Sequence, residues 1–258
     1  MRIIRYQQQR LPPQWGWLQD KHVGPLSGSP FEPYHRAEAE ISLEKVKILA
    51  PVTPGKIIAV GRNYVEHARE HQVEVPDTPL IFLKPPSTVI GPNMPILLPP
   101  QSKRVDYEAE LAVVIGKKGR WIDILRVDEY IFGYCIGNDV TARDLQENDK
   151  LWTRAKGFDT FCPLGPCIET NLDPSDVLIT TRVNAEIRQM TSTRMMVFNI
   201  PQLIVYISSI MTLNPGDVIL SGTPAGVGQL NPGDEIVIMI EGIGELKNSV
   251  AKETREKQ

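Results

Sequence analysis

The chain has 258 residues, of which 41% are hydrophobic and 23% charged, a globular composition that suffices for one large domain with an appendage. Its formal net charge of -3 at pH 7 supplies no basic field, which argues against binding to nucleic acid or an anionic membrane and leaves a small molecule as the expected partner. The first residues lack a signal peptide's apolar stretch, and no segment approaches the ~20 apolar residues of a membrane helix, so we expect a cytoplasmic protein.

The chain divides into two regions of different pattern. Residues 1–53 are rich in Pro, Gln, Gly and aromatic residues with weak periodicity, which predicts a small N-terminal extension. Across residues 54–258 apolar runs alternate with turn residues, which predicts the main domain. Its predicted strands cover residues 57–60, 80–84, 95–98, 110–116, 130–138, 177–183, 217–222 and 235–242. The predicted helices cover residues 64–71, 141–149 and 199–211. Because strands predominate without regular strand–helix alternation, we predict an α+β fold that is mainly β.

The predicted helix at 64–71 carries His67, Glu70 and His71. His67 and Glu70 are three residues apart and therefore share a helix face, where a carboxylate can orient an imidazole and raise its basicity, as in a general-base dyad. A surface helix with ordinary ion pairs is an equally open interpretation. The segment HAREH also matches H-x-x-E-H, a zinc-peptidase pattern, but that site needs a third ligand and no His follows His71.

A group of carboxylates follows, in VDYEAELAVVIG and YCIGNDVTARDLQ. The period of two in a strand places Asp106, Glu108 and Glu110 on one face that becomes buried as the apolar run begins, and Asp139 directly follows another apolar strand. Buried carboxylates need cationic side chains or a bound cation. A solvated strand face, and a helix cap formed by Asn138 or Asp139, are the simpler alternatives. If these oxygens bind a metal, Mg²⁺ is the first expectation, followed by Mn²⁺ or Ca²⁺.

Three further features are weak signals when taken singly. Lys156 lies in a segment rich in Gly and Pro, where a lysine is usually solvated. The segment SGTPAGVGQL follows a strand but lacks the Gly-Lys-Ser/Thr ending of a phosphate loop, although Thr223 and its backbone N–H groups can meet a carboxylate. The thiols of Cys135, Cys162 and Cys167 form no C-x-x-C pair and are predicted to be buried and unbonded.

Six segments occur in the order found in the fumarylacetoacetate hydrolase family: GRNYVEHARE, FLKPPS, DYEAELAVVIG, NDVTARDLQ, AKGFDTFCPLGP and LNPGDVILSGTPAGVG. The chain therefore resembles this family over about residues 55–250. The resemblance implies a mixed β-roll of the C-terminal catalytic-domain type and a homodimer. One departure is the hairpin after 177–183, where many members have Asn-Gly and this chain has Asn184-Ala185, because alanine tolerates a positive φ less well.

The resemblance also implies the central chemical groups. Mg²⁺ or Mn²⁺ would be bound by Glu108, Glu110 and Asp139, and His67 with Glu70 would form the dyad on a mobile lid. The metal would act as a Lewis acid on the enolate of a 2-oxo acid, while His67 activates water or moves a proton.

Further residue roles come from the same resemblance. Lys156 would be the active-site lysine. Gln146 and Thr223 would hold the carboxylate and keto oxygens of the substrate, with Arg62 and Lys84 as neighbouring substrate-binding residues.

Several reactions fit this predicted site. The dyad favours a metal-dependent hydrolase that cleaves a C–C bond in a 2,4-dioxo acid such as an acylpyruvate or fumarylpyruvate, because hydrolysis needs an activated water. The alternatives are an oxaloacetate decarboxylase and an isomerase of the 2-hydroxyhepta-2,4-diene-1,7-dioate type, since a fold alone does not separate these chemistries. A metal-stabilised protein without turnover is a hypothesis of a different class, which the presence of His67, Glu70 and Lys156 argues against.

Overall fold

The computed structural model describes residues 1–70 and 72–254, so His71 of the H-x-x-E-H pattern lies outside the described residues. The described strands are β1 Arg2–Gln7, β2 Gln14–Gln19, β3 His22–Pro25, β4 Ile41–Ser42, β5 Lys47–Leu49, β6 Ile57–Gly61, β7 Leu80–Lys84, β8 Val89–Ile90, β9 Ile96–Leu98, β10 Val105–Tyr107, β11 Ala109–Ile115, β12 Ile131–Asn138, β13 Thr141–Ala142, β14 Cys162–Glu169, β15 Leu178–Val183, β16 Glu186–Ser192, β17 Val218–Leu220, β18 Gly228–Gln229, β19 Glu235–Ile240 and β20 Gly244–Lys252. The described α-helices are α1 Val65–Glu70, α2 Arg143–Asn148, α3 Thr153–Lys156 and α4 Ile200–Ile210. The short 3₁₀ segments are Leu43–Lys45, Pro86–Thr88, Ile124–Tyr130, Pro174–Asp176 and Thr193–Met195. The prediction of a mainly β fold with few helices is confirmed.

The largest sheet has the strand order β4-β3-β2-β1-β14-β12-β11-β17-β6-β7, with β5 and β8 paired to its members. Strands β11 and β12 lie in its interior and are buried on both faces, which explains why their apolar residues run continuously. They are antiparallel, and Glu110 pairs with Gly137. The start of β11 therefore meets the end of β12, which brings Glu108 and Glu110 towards Asp139.

Strands β6 and β17 bring two further segments to the same end of the sheet. They are parallel, with Ala59 paired to Leu220. Both strands therefore end on the same side, where β6 leads into α1 and β17 leads into the glycine-rich segment that contains Thr223. The two remaining described sheets have the orders β13-β10-β18 and β16-β15-β19-β20-β9.

The first 50 residues contain more regular structure than their weak periodicity indicated. Strands β1 to β5 lie within them, and β1 pairs with β14, whose register joins Ile3 to Ile168. Strand β14 was also not predicted, because Pro163, Gly165 and Pro166 are typical of loops. The N-terminal strands therefore extend the largest sheet.

Helix α4 matches its predicted boundaries closely. Asn199 accepts a hydrogen bond from the Gln202 backbone, and the Gln202 side chain accepts one from the Asn199 backbone, which is a complete capping box. The apolar face of α4 is buried at Ile200, Leu203, Ile204 and Ile207, while Met211, at the helix end, is half-buried.

Two smaller predictions are also resolved. Cys135, Cys162 and Cys167 are buried and form no disulfide, as predicted. In the hairpin between β15 and β16, Asn184 and Ala185 have φ angles of 50° and 70°, so the alanine adopts the left-handed conformation that glycine tolerates better. Among the described helices none is long and apolar enough to cross a membrane.

Candidate metal centre and its cavity

The carboxylates of Glu108, Glu110 and Asp139 converge where β11 and β12 meet. One oxygen from each lies within 4.8 Å of the others, and all three residues are buried. The interpretation of a solvated strand face is therefore wrong. Asp139 does not cap a helix either, because α2 begins at Arg143 after Ala142, which makes no side-chain cap.

Three buried cationic side chains surround this carboxylate triad, defined as Glu108, Glu110 and Asp139. Lys156 Nζ donates hydrogen bonds to Glu108 Oε2 at 2.7 Å and to Asp139 Oδ2 at 2.6 Å. Lys84 Nζ donates to the other Asp139 oxygen, Oδ1, at 2.5 Å. Arg143 Nη2 donates to Glu108 Oε1 at 2.6 Å. These groups orient two of the three carboxylates.

Glu110 is in a different electrostatic environment. Its Oε2 accepts a hydrogen bond from the Gly222 backbone N–H at 2.7 Å, and among the described residues no lysine or arginine forms an ion pair with it. Burial, followed by the negative charges of Asp139 and Glu108, raises the pKa of Glu110 well above its usual value. The protein therefore does not stabilise the ionised form of Glu110 in the way that Lys156 and Arg143 stabilise that of Glu108.

This arrangement fits a divalent cation. All three groups offer carboxylate oxygens, and no sulfur or imidazole is among them, which is the ligand type that hard cations such as Mg²⁺ prefer. A cation between the carboxylates would also stabilise Glu110 in its charged form. The triad therefore suits a divalent cation, and its chemistry does not select one metal among the hard cations.

His67 and Glu70 lie on α1, facing the loop after β17. His67 Nδ1 is 3.5 Å from Glu70 Oε2, so the carboxylate is placed to orient the imidazole. Both Glu70 oxygens also lie 3.2 Å from the Gly226 backbone N–H, which donates to them. Glu70 therefore connects α1 to the glycine-rich loop, defined here as residues 221–228.

A cavity of about 240 Å³ opens above the triad. The predicted site residues that line it are Arg62, His67, Glu108, Glu110, Asp139, Gln146, Lys156 and Thr223. The fold thus brings these predicted residues together around one cavity, from α1, α2, α3, β11 and the glycine-rich loop. Their individual roles remain predictions.

Two predicted site residues lie outside the cavity lining. Lys84 is buried behind Asp139, where its ammonium also donates to the Val140 carbonyl at 3.3 Å, so its position suits ordering Asp139. Glu70 lies behind His67.

Lys156 is not in a solvated loop, since it is the last residue of α3 and 2% exposed. Burial opposes its charge, but Asp139 and Glu108 outweigh burial and raise the pKa of Lys156.

Sequence reasoning missed several residues of this site. Arg143 donates to Asp106 and Glu108 and, through Nη1, to Gln146 Oε1 at 2.5 Å, so it positions a predicted substrate ligand. Its signal was its spacing of three from Gln146 on one helix, which places the two side chains on one face. Phe82 and Trp152 form the apolar side of the cavity, with ring centroids 5.1 Å apart. Their contact depends on the tertiary fold and has no local signature.

Comparison with known proteins identifies relatives of the whole chain. A family model described as "Fumarylacetoacetate (FAA) hydrolase C-terminal" matches residues 56–251, and one described as "Rv2993c-like, N-terminal" matches residues 1–51. Uncharacterized protein MJ1656 of Methanocaldococcus jannaschii is 54% identical over 202 residues, covering 78% of this chain and 85% of that protein. Oxaloacetate tautomerase Fahd2a, mitochondrial, of Rattus norvegicus is 47% identical, covering 81% of this chain and 71% of that protein.

A solved structure extends the similarity to the three-dimensional fold. The crystal structure of 5-carboxymethyl-2-hydroxymuconate delta-isomerase from Mycobacterium smegmatis has a TM-score of 0.92 and 43% sequence identity. The match covers 98% of this chain and 100% of that one. The first family model spans most of the chain, including the triad, the dyad and the glycine-rich loop. The chain therefore belongs to the fumarylacetoacetate hydrolase family.

Proposed function

We propose that the protein is a metal-dependent enzyme that transfers a proton between carbon and oxygen of a small 2-oxo acid, with oxaloacetate as the first substrate to test. The observation that carries this proposal is one cavity in which the buried carboxylate triad lies beside the His67 imidazole. The triad fits a divalent cation, and the His67 imidazole can accept a proton on one nitrogen and return it.

The cation, His67 and Lys156 would have different roles in enolisation of the substrate. When bound, the cation supplies Lewis-acid stabilisation for the negative charge that develops on the substrate oxygen as a neighbouring carbon loses its proton. His67 accepts or returns that proton, with Nδ1 oriented by Glu70 so that Nε2 serves the substrate. The Lys156 ammonium adds positive charge and a proton donor at the base of the cavity.

Size and polarity agree with a small acid. At about 240 Å³ the cavity is below the ~300–1,000 Å³ of pockets for drug-sized ligands. Arg62, Gln146 and Thr223 line it and offer donors to carboxylate and keto oxygens. The name of the rat relative, an oxaloacetate tautomerase, supports the choice of oxaloacetate.

Cleavage of a C–C bond in a 2,4-dioxo acid is the second candidate reaction. The His67–Glu70 dyad favours it, because hydrolysis needs a base that activates water. Oxaloacetate decarboxylation and isomerisation of a 2-hydroxydienedioate use the same enolate chemistry, and the isomerase name of the solved relative supports the latter. We propose Mg²⁺ before Mn²⁺ as the metal, bound by the triad.

Two expectations remain, an oligomeric state implied by the family resemblance and a cellular location expected from the sequence. We propose that the protein is a homodimer and that it acts in the cytoplasm, on a small-molecule substrate. Gel filtration with light scattering tests the first of these directly. A monomer with full activity would overturn it.

The reaction is tested with two substrates and matched conditions. Oxaloacetate enol–keto conversion and acetylpyruvate cleavage are each followed with Mg²⁺, Mn²⁺ or EDTA, and metal without protein gives the background. The proposal predicts metal-dependent tautomerisation above that background and a large loss in His67→Asn, whose side chain retains polarity but cannot act as a base. Cleavage of acetylpyruvate without tautomerisation would instead establish the hydrolase. Equal rates for wild type and His67→Asn would contradict an enzymatic role for this site.

A further inference from the structure

Gln189 lies on β16 and is 1% exposed, close behind the glycine-rich loop. It was not among the predicted site residues, and residues 186–192 were not among the predicted strands. In the structure its amide forms four hydrogen bonds, all to buried or partly buried groups. A buried amide that is satisfied at all four positions is held in one orientation.

Two of these partners determine which amide atom is which. The Ala109 backbone N–H can only donate, and it lies 3.2 Å from Gln189 Oε1. The Pro224 carbonyl can only accept, and it lies 2.9 Å from Gln189 Nε2. If the amide oxygen and nitrogen were exchanged, the amide NH₂ would face the Ala109 N–H, and the amide oxygen would face the Pro224 carbonyl. The orientation therefore follows from the chemistry of the partners.

This orientation determines the direction of the Thr223 hydroxyl. Gln189 Nε2 carries only protons, and it lies 2.9 Å from Thr223 Oγ1, so the hydroxyl accepts this hydrogen bond. The proton of Thr223 must then point away from Gln189. Thr223 lines the cavity above the triad, and among the described residues its hydroxyl donates to no protein acceptor.

We propose that Gln189 is a positioning residue that makes Thr223 a hydrogen-bond donor to an oxygen of the bound 2-oxo acid. The same amide holds the Pro224 carbonyl, so it also fixes the backbone that follows Thr223. The inference rests on the proposed function in one respect, since the acceptor is the carboxylate or keto oxygen of the substrate. Gln189 itself does not line the cavity.

The variants are chosen to separate orientation from packing. Gln189→Glu places an oxygen where Nε2 faces Thr223 and Pro224, so the two N–H donors are lost. Gln189→Met keeps the side-chain volume but removes the polar atoms. It is the variant to measure if Gln189→Glu folds poorly. Gln202→Glu is the matched control, because it makes the same substitution in the capping box of α4, outside the cavity, where the carboxylate can still accept from the Asn199 N–H. Thr223→Val removes the proposed donor itself.

The test is a double-mutant cycle on ligand affinity. Oxalate, which resembles the enolate of a 2-oxo acid, is titrated by calorimetry into the Mg²⁺-loaded proteins, and KM and kcat for oxaloacetate are measured in parallel. We expect Thr223→Val and Gln189→Glu each to weaken oxalate binding about 10- to 100-fold, since a hydrogen bond to a charged group is lost. The double variant should be no more than about twofold weaker than Thr223→Val, because Gln189 acts through Thr223. Gln202→Glu should bind oxalate like the wild type.

Two results would overturn the inference. Losses that multiply in the double variant would show that Gln189 acts on the fold and not through Thr223. Wild-type oxalate affinity in both Gln189 variants, with circular dichroism showing a native fold, would show that the orientation is unimportant. Wild-type protein that binds oxalate but does not turn over oxaloacetate would overturn the proposed reaction and leave the positioning role intact.

Discussion

Glu108 and Glu110 are two residues apart and experience opposite electrostatic environments. Burial alone would raise the pKa of Glu108, but the positive charges of Lys156 and Arg143 outweigh burial and lower it. Glu110 has no such partner among the described residues, and burial raises its pKa. Within the triad, Glu110 is therefore the carboxylate that gains most from a bound cation, while Glu108 is kept ionised by the protein.

Lys156 gives the first prediction at this scale. Lys156→Met should lower kcat/KM by roughly 100-fold or more, because a proton donor at the cavity base is lost. Its affinity for Mg²⁺ should not fall, since the substitution removes a positive charge beside Glu108 and Asp139. Turnover and calorimetric Mg²⁺ titration measure the two effects. Lys56→Met is the control, because Lys56 forms a partly buried ion pair with Asp217 outside the cavity. Weakened Mg²⁺ binding in Lys156→Met alone would contradict the prediction.

The cysteines give a second prediction. Burial raises the pKa of Cys162 and of Cys167 to about 12, so the reactive thiolate is scarce at pH 8. A thiol reagent that absorbs on reaction should therefore modify none of the three cysteines within minutes in the native protein, and all three after unfolding in guanidinium chloride. Rapid modification of one thiol in the folded protein would show that its site opens.

The sequence predicted some residues of the site and not others, and the difference has a physical reason. Glu108 and Glu110 were found because a strand's period of two is a local rule, and Asp139 because a polar residue after an apolar strand is visible in sequence. Arg143 and Gln189 were missed because their roles depend on partners far along the chain, such as Asp106 and Thr223. A polar residue's local pattern does not show whether tertiary structure buries it.

At the scale of elements, the site is assembled from strand ends. Strands β11 and β12 supply the carboxylates, and the parallel pair β6 and β17 delivers α1 and the glycine-rich loop to the same edge. Apolar periodicity predicted these four strands. It did not predict β14, where Pro163 and Pro166 break the usual pattern, nor the N-terminal strands that β14 supports through pairing. Pairing partners decide such strands, and they lie far apart in sequence.

The glycine-rich loop is tested by a pair of glycines with the same backbone conformation. Gly226 and Gly233 have φ angles of 95° and 94°, but a Cβ on Gly226 would lie 2.1 Å from the Arg188 carbonyl oxygen, whereas one on Gly233 would meet nothing within 4 Å. Gly233→Ala should cost about 1–2 kcal/mol of unfolding free energy, from the left-handed conformation alone. Gly226→Ala should cost more and lower turnover, because the loop, which carries Thr223, must move away from Glu70.

Denaturant unfolding and oxaloacetate turnover measure both glycine variants. Equal effects of the two substitutions would contradict the importance of this close contact. A loss of turnover confined to Gly226→Ala would agree with the connection between α1 and the loop, because Gly226 is the residue whose N–H contacts Glu70.

The hairpin between β15 and β16 provides a stabilising prediction. Ala185 has a φ angle of 70°, which costs an alanine but not a glycine. Ala185→Gly should therefore raise the free energy of unfolding by about 1 kcal/mol, measured by denaturant titration, without changing turnover. A neutral or destabilising result would show that the greater freedom of glycine in the unfolded chain outweighs the relief of strain.

At the scale of the whole molecule, a cation bound by the triad would couple metal binding to the stability of the fold. The triad joins the interior strands of the largest sheet, and burial together with the charges of Asp139 and Glu108 disfavours ionised Glu110 unless a cation is bound. Mg²⁺ at 100 times its Kd should stabilise the protein by about 2.7 kcal/mol, which corresponds to a rise in Tm of roughly 5–10 °C for a chain of this size. Thermal unfolding with Mg²⁺ and with EDTA checks this, and an equal Tm in both would contradict a metal at this position.

Comparison of wild type with Glu110→Gln tests the central claim most directly. Among the described residues Glu110 has no ion-pair partner, and the glutamine oxygen can still accept from the Gly222 N–H, so the metal-free variant should fold normally. The measurement is the rate of oxaloacetate tautomerisation as Mg²⁺ is added to metal-free protein. We predict a rate that rises with Mg²⁺ to a plateau in the wild type and is abolished by EDTA, and a folded Glu110→Gln variant that needs at least tenfold more Mg²⁺ or stays inactive. Full activity in EDTA, or identical Mg²⁺ dependence in both proteins, would contradict a metal-dependent reaction at this site.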